Sequence, residues 1–183
     1  MKTIRNSVFE TNSSSMHSIS LSHELAVGDF SGTHLYVSAS GDYGWGPGTV
    51  DGPEEKLDYA IVAYLDMNYE SLKSEYKNKI EKLKDIDKLS KRLVEKVTKD
   101  LNAVVEAFAE HGVTVEFGEN LFQYDEDGTY YVQIKHDGYI DHQSGPHEDG
   151  DCAAIAEMVE KNPQRLFNFC FNSSYIELDN DNH

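Results

Sequence analysis

The most regular pattern in the chain runs through its middle. Leu72, Tyr76, Ile80, Leu83, Ile86, Leu89, Leu93, Val97, Leu101, Val104 and Phe108 recur in steps of three and four, ten steps over 36 residues. The mean of 3.6 is that of a straight amphipathic helix rather than a heptad coiled coil. Before it, Leu57, Ala60, Ile61, Tyr64 and Leu65 form a first apolar face. Pro53 suits a first helical turn, Gly112 suits a stop, and neither glycine nor proline occurs from Glu54 to His111. The spacing predicts a first helix ending near Asn68, then a long segment that a break at residues 85–88 folds into two antiparallel helices. Together they read as a helical hairpin over residues 54–111.

Elsewhere the period shortens. Residues 4–9, 18–21 and 34–40 read as strands, as do 113–117, 130–135 after the Asp127-Gly128 turn, and 174–178. Residues 153–160 read as a short helix with Asp149 or Asp151 near its cap. Asn162-Pro163 starts another, with Leu166, Phe167, Phe169 and Cys170 on its buried side. The expected fold is α+β: a small mixed or antiparallel sheet packed on the hairpin and the short C-terminal helices. A single domain, 1–183, is expected, with a strand and loop segment at 1–53 and an acidic strand and helix segment at 113–183.

Charge changes the picture. Thirty-three acids against sixteen bases leave −17, which repels phosphate backbones and attracts basic protein surfaces. The hairpin carries eleven of the bases and thirteen acids, a mixed rather than one-signed face. Lys73 and Lys99 bound the stretch that offers a local basic stripe to nucleic acid. Residues 113–183 hold fifteen acids and three bases, a balance of −12. Glu148, Asp149, Asp151, Glu177, Asp179 and Asp181 are therefore the expected partner-binding carboxylates. Cys152 and Cys170 fit no disulfide framework and read as free, buried thiols. No stretch approaches the roughly 18 apolar residues of a membrane span, and no apolar leader follows Met1, so a cytosolic protein is expected.

Three constellations carry chemistry. The first is the serine-rich loop, where Arg5, Glu10, Asn12, Ser13, Ser14 and Ser15 offer an anion nest, with His17 as a general base toward Ser13 or Ser15. The competing reading is a turn braced by short polar side chains. The second is the histidine and carboxylate stretch from His136 to Asp151, in which Asp141, His142 and His147 are the candidate ligands for a divalent metal. Metal-free surface loops are the plainer account of it, and no cofactor is the default expectation. The third is Trp45, set between glycines, which either stacks on a ligand or plugs the core edge.

The motif Arg5-x-Ser7-x-Phe9-Glu10-Thr11-Asn12-Ser13-Ser14-Ser15-x-His17-Ser18 resembles the opening of a mostly uncharacterised family from phages, mobile elements and Firmicutes-like bacteria. Gly41-Asp42-Tyr43-Gly44-Trp45 and Tyr139-Ile140-Asp141-His142-Gln143-Ser144 resemble later segments of that family. The three stretches cover about a sixth of the chain, and the resemblance carries no catalytic residue with it. In its small, acidic character the chain is also similar to anti-CRISPR proteins that restrain type II RNA-guided nucleases. That likeness implies a counter-defence binding protein whose partner is a CRISPR nuclease. The alternative is an enzyme acting on a nucleotide or phosphoester, using the Ser13 to His17 loop with Asp141 and His142. It requires those two segments to meet in the fold. A third option is a scaffold that self-associates through its hairpin.

Overall fold

The computed structural model describes residues 15–44, 48–79, 83–118, 123–124, 132–133, 138–140, 144–146 and 149–180. Over them the chain is an α+β fold. In order come β1 (Ser15–Ser20), β2 (His34–Val37), β3 (Asp42–Tyr43), β4 (Gly48–Val50), α1 (Pro53–Lys79) and α2 (Leu83–Ala109). Then follow β5 (Thr114–Phe117), β6 (Gln123–Tyr124), β7 (Val132–Gln133), β8 (Tyr139–Ile140), α3 (Gly150–Lys161), α4 (Pro163–Phe171) and β9 (Tyr175–Asn180).

The helical region departs from its sequence pattern at two points. α1 runs through Asn68 to Lys79, and α2 is helical from Leu83, so residues 85–88 lie inside it. Nothing between Tyr64 and Leu72 stops a helix. The Asn68 amide folds back to donate to the Tyr64 carbonyl at 2.8 Å, and extending an existing helix is cheaper than nucleating a new one. Tyr64 of α1 donates to Asp100 of α2 at 2.7 Å. The two residues lie at similar sequence distances on either side of residues 80–82, as in two helices that run antiparallel. Past α2, Gly112 has a φ of 75°, which suits a residue without a Cβ at a helix end.

Packing explains why α1 carries so little periodicity in its first half. Every residue from Lys56 to Leu65 is buried, so this part of the helix has no solvent face. α1 packs mainly on α3, and α2 mainly on α4. By contrast, Leu93, Val97, Leu101, Val104 and Phe108 form the single buried stripe that the spacing predicts for α2. Phe108 meets Phe167 edge-on at 5.3 Å between ring centroids, closing the core toward α4.

In place of one sheet, the strands make several small ones. β9 is the middle of an antiparallel β1-β9-β4 sheet, while β2 pairs with β5 and β3 with β8, both parallel, and β6 pairs with β7. Residues 34–43 form one ribbon spanning β2 and β3. On one edge, Gly118 donates to the Val37 carbonyl at 2.9 Å, Gly138 to Ala39 at 2.8 Å and Tyr139 to Gly41 at 2.9 Å. On the other edge stands α1 instead of a strand. Glu54 accepts the Tyr36 N–H at 2.8 Å, and Asp58, one turn on, accepts from Ala39 and Gly41.

Candidate functional site

Alternation along β1 decides where His17 goes. His17 and Ile19 turn inward while Ser18 and Ser20 face outward, and His17 sits opposite Leu178 of β9. Its ring is buried, with Nδ1 3.3 Å from the Tyr59 hydroxyl. Tyr59 in turn donates to Cys152 Sγ at 3.5 Å and packs edge-on against Tyr43, 5.0 Å between centroids. A hydroxyl that donates to the sulfur accepts from His17 Nδ1–H. The His17 backbone N–H donates to Ser144 Oγ at 3.0 Å, across 127 residues of sequence.

This geometry joins three stretches that lie far apart in sequence, residues 15–20, 42–44 and 139–144. His17 comes from the first, Tyr43 from the second, and Tyr139 and Ser144 from the third. Tyr59 of α1 touches His17 and Tyr43, and β3 holds β8 in register, with Asp42 opposite Tyr139 and Tyr43 opposite Ile140. Tyr59 carried no signal of its own in the sequence, because a tyrosine within an apolar helix reads as core.

The chemistry here is that of a held network. Cys152 lies in the first turn of α3, whose cap is Asp149: its Oδ1 accepts from Asp151 N at 2.7 Å and Cys152 N at 3.2 Å. A helix N-terminus ordinarily favours a thiolate. Here burial dominates and pushes the Cys152 thiol up to about 12, so it stays protonated. Burial likewise raises the Tyr59 phenol well above its ordinary value.

Next to it lies a second buried hub. Asp58 accepts from Ala39 N at 2.7 Å, Gly41 N at 3.1 Å and Tyr43 Oη at 2.9 Å. Lys56, only 1% exposed, donates from Nζ to the carbonyls of Asn172 at 3.1 Å and Ser174 at 3.0 Å. It places a cation at the C-terminal end of α4, where the helix dipole favours one. Burial lowers its pKa, opposed by Cys170 and Asp51.

The expected site residues are distributed as follows. Arg5, Glu10, Asn12, Ser13, Ser14, Trp45, Asp141, His142, His147, Glu148 and Asp181 lie outside the described residues. Ser15 is at the start of β1, and Asp179 is on β9 opposite Met16. Asp149 is 6% exposed and turned to its helix cap, whereas Asp151 and Glu177 are exposed. Among the described residues no three His, Cys, Asp or Glu side chains gather as a metal requires, and no helix is long and apolar enough to cross a membrane.

Surface charge is segregated differently from the linear pattern. Two acids of α3 have nearby cations: Glu157 meets Lys161 at 2.9 Å and Glu160 meets Lys96 at 3.1 Å. Exposed carboxylates stand on the strands, on the turn before α1 and on its first turn (Asp42, Asp51, Glu54, Glu55, Glu116 and Glu177), and also on the helices, as Glu95, Glu106 and Asp151 do. Among the residues whose exposure is described, the exposed Lys and Arg are Lys91, Arg92, Lys99, Lys161 and Arg165, on α2, α3 and α4. Lys56, in the first half of α1, is buried.

No known family matches this chain, and no match was found among curated proteins or solved structures.

Proposed function

We propose that this chain is a binding protein that uses an acidic, strand-built surface to occupy a basic surface on a nucleic-acid-processing nuclease, as a phage or mobile-element counter-defence factor does. One observation carries the reading: the strands and the start of α1 expose Asp42, Glu54, Glu55, Glu116 and Glu177, and among the described residues there none is an exposed Lys or Arg. RNA-guided nucleases hold their nucleic acids in strongly basic channels, and clustered carboxylates compete there as phosphate mimics. The resemblance of residues 5–18 to a phage and mobile-element family supports the same biological setting.

The test is a pull-down of a purified type II RNA-guided nuclease with this protein at about 0.05 M salt, repeated at about 0.5 M. A complex that forms at low salt and weakens at high salt is expected, since screening already acts within about 8 Å at 0.15 M. Glu55→Gln with Glu177→Gln lowers its affinity. Absence of a complex at low salt removes that nuclease as the partner.

A second reading is favoured by the hydrogen bond from His17 N to Ser144 Oγ. A phosphoester-acting enzyme that combines the serine loop with Asp141 and His142 needs the two segments to meet, and His17 and Ser144 do meet. Incubation with a panel of nucleotides and Mg²⁺, Mn²⁺ or Zn²⁺ tests this reading. Turnover abolished by His142→Ala supports it, and no turnover with any metal ends it.

A further inference from the structure

Side chains alternate without interruption along the ribbon of residues 34–43. Leu35, Val37, Ala39 and Tyr43 are buried, and His34, Tyr36, Ser38, Ser40 and Asp42 are exposed. The paired strands add Glu116 opposite Tyr36, and Tyr139 opposite Asp42. The outer face therefore sets a tyrosine beside a carboxylate twice. Tyr36 is 50% and Tyr139 41% exposed.

The Tyr139 and Asp42 pair is held from several directions. Tyr139 N donates to the Gly41 carbonyl at 2.9 Å, and Asp42 Oδ1 accepts from Gly44 N at 3.0 Å. Gly44 lets the ring lie across its backbone, because a Cβ there would overlap Cε1 and Cδ1 of Tyr139. A partly exposed aromatic face next to a fixed carboxylate is what a planar guanidinium recognises: it stacks on the ring and donates its N–H fork to the acid. An ammonium, a compact and strongly hydrated charge, gains less from that pairing.

Resting on the acidic-surface reading above, we infer that Tyr139 and Asp42 form an arginine-recognising spot on this protein, so that its basic partner presents arginine rather than lysine at the contact. The probes are fluorescein-labelled nona-arginine and nona-lysine, titrated with the full chain at about 0.05 M salt and read by anisotropy. Wild type is expected to bind nona-arginine about threefold or more tighter than nona-lysine, the scale of an exposed cation–π contact. Tyr139→Leu abolishes that preference while residual binding persists, Tyr139→Phe keeps it, and Asp42→Asn weakens nona-arginine more than nona-lysine. Circular dichroism of each variant checks that the partly exposed substitutions leave the fold intact. Equal wild-type affinity for the two peptides, or a preference that survives Tyr139→Leu, overturns the arginine spot and leaves the acidic surface standing. Binding of neither peptide overturns both.

Discussion

The carboxylate of Asp58 accepts the backbone N–H of Ala39 at 2.7 Å, and Ala39, with a φ of 51°, has the only positive φ of any non-glycine among the described residues. A left-handed alanine is costly by itself. The kink persists because Asp58 grips the N–H groups of Ala39 and Gly41 together, and takes the Tyr43 hydroxyl as a third donor. The same kink keeps the ribbon alternating from β2 into β3, so that Asp42 faces outward and Tyr43 inward.

Removing that acceptor strands buried donors. Asp58→Ala is expected to lower unfolding free energy by about 3 kcal/mol, from two backbone N–H groups left without this acceptor and a Tyr43 phenol left with only its longer contact to the Glu55 carbonyl. Urea denaturation of the variant beside wild type measures it, and a loss below about 1 kcal/mol contradicts the assigned role.

Gly138, just before β8, passes close to the backbone of the ribbon. A Cβ there would overlap Val62 Cγ2 and stand 2.8 Å from the Ala39 carbonyl oxygen, which already accepts the Gly138 N–H. Gly138→Ala should cost about 2 kcal/mol or more, since overpacking against backbone cannot be relieved by a rotamer change. A thermal melt indistinguishable from wild type counts against this packing.

The buried thiols set an alkaline limit. Burial raises the Cys152 thiol from its ordinary 9.0 to about 12, and raises Cys170 as well, though Lys56 opposes it. Between those values the native state keeps protons that the unfolded chain releases. The stability contributed by each thiol is therefore full below pH 9 and falls as pH rises, by about 1.4 kcal/mol per pH unit per group. Unfolding free energies measured from pH 8 to 11 should decline with that sign. At pH 8, Ellman's reagent should titrate both thiols only after denaturant is added; rapid reaction of the native protein would show that they are accessible.

A buried hydrogen bond and an exposed ion pair should differ in worth. Tyr64→Phe removes a hydroxyl that donates at 2.7 Å to the buried Asp100, itself 2.7 Å from Lys96, and should cost about 1.5 kcal/mol. Lys161→Ala breaks an exposed contact with Glu157 and should cost less than about 0.5 kcal/mol. Equal effects in chemical denaturation would overturn this ranking.

Much of this was legible in the residues. The stripe of α2 was readable because one face of that helix meets water and the other does not, which is the condition under which a 3.6 period survives selection for solubility. The starts of α3 and α4 were readable because Asp149 and Asn162-Pro163 are local capping chemistry that acts within a single turn. Both thiols could be read as buried because nothing in their spacing proposed a bridge.

What the chain alone did not reveal is set by contacts distant in sequence. Lys56 and Asp58 look like the polar side of α1, yet both are buried, one against the end of α4 and the other against a kinked ribbon. The acids of the final third look like one electronegative block. Folding takes Asp149 into a cap, sets Glu157 and Glu160 beside lysines, and leaves Glu116 and Glu177 on the exposed sides of two strands in separate sheets. Composition fixes how much charge a chain carries. Only packing decides which side chains find partners and which are left facing solvent, because that depends on neighbours a hundred residues away, as His17 and Ser144 are from each other.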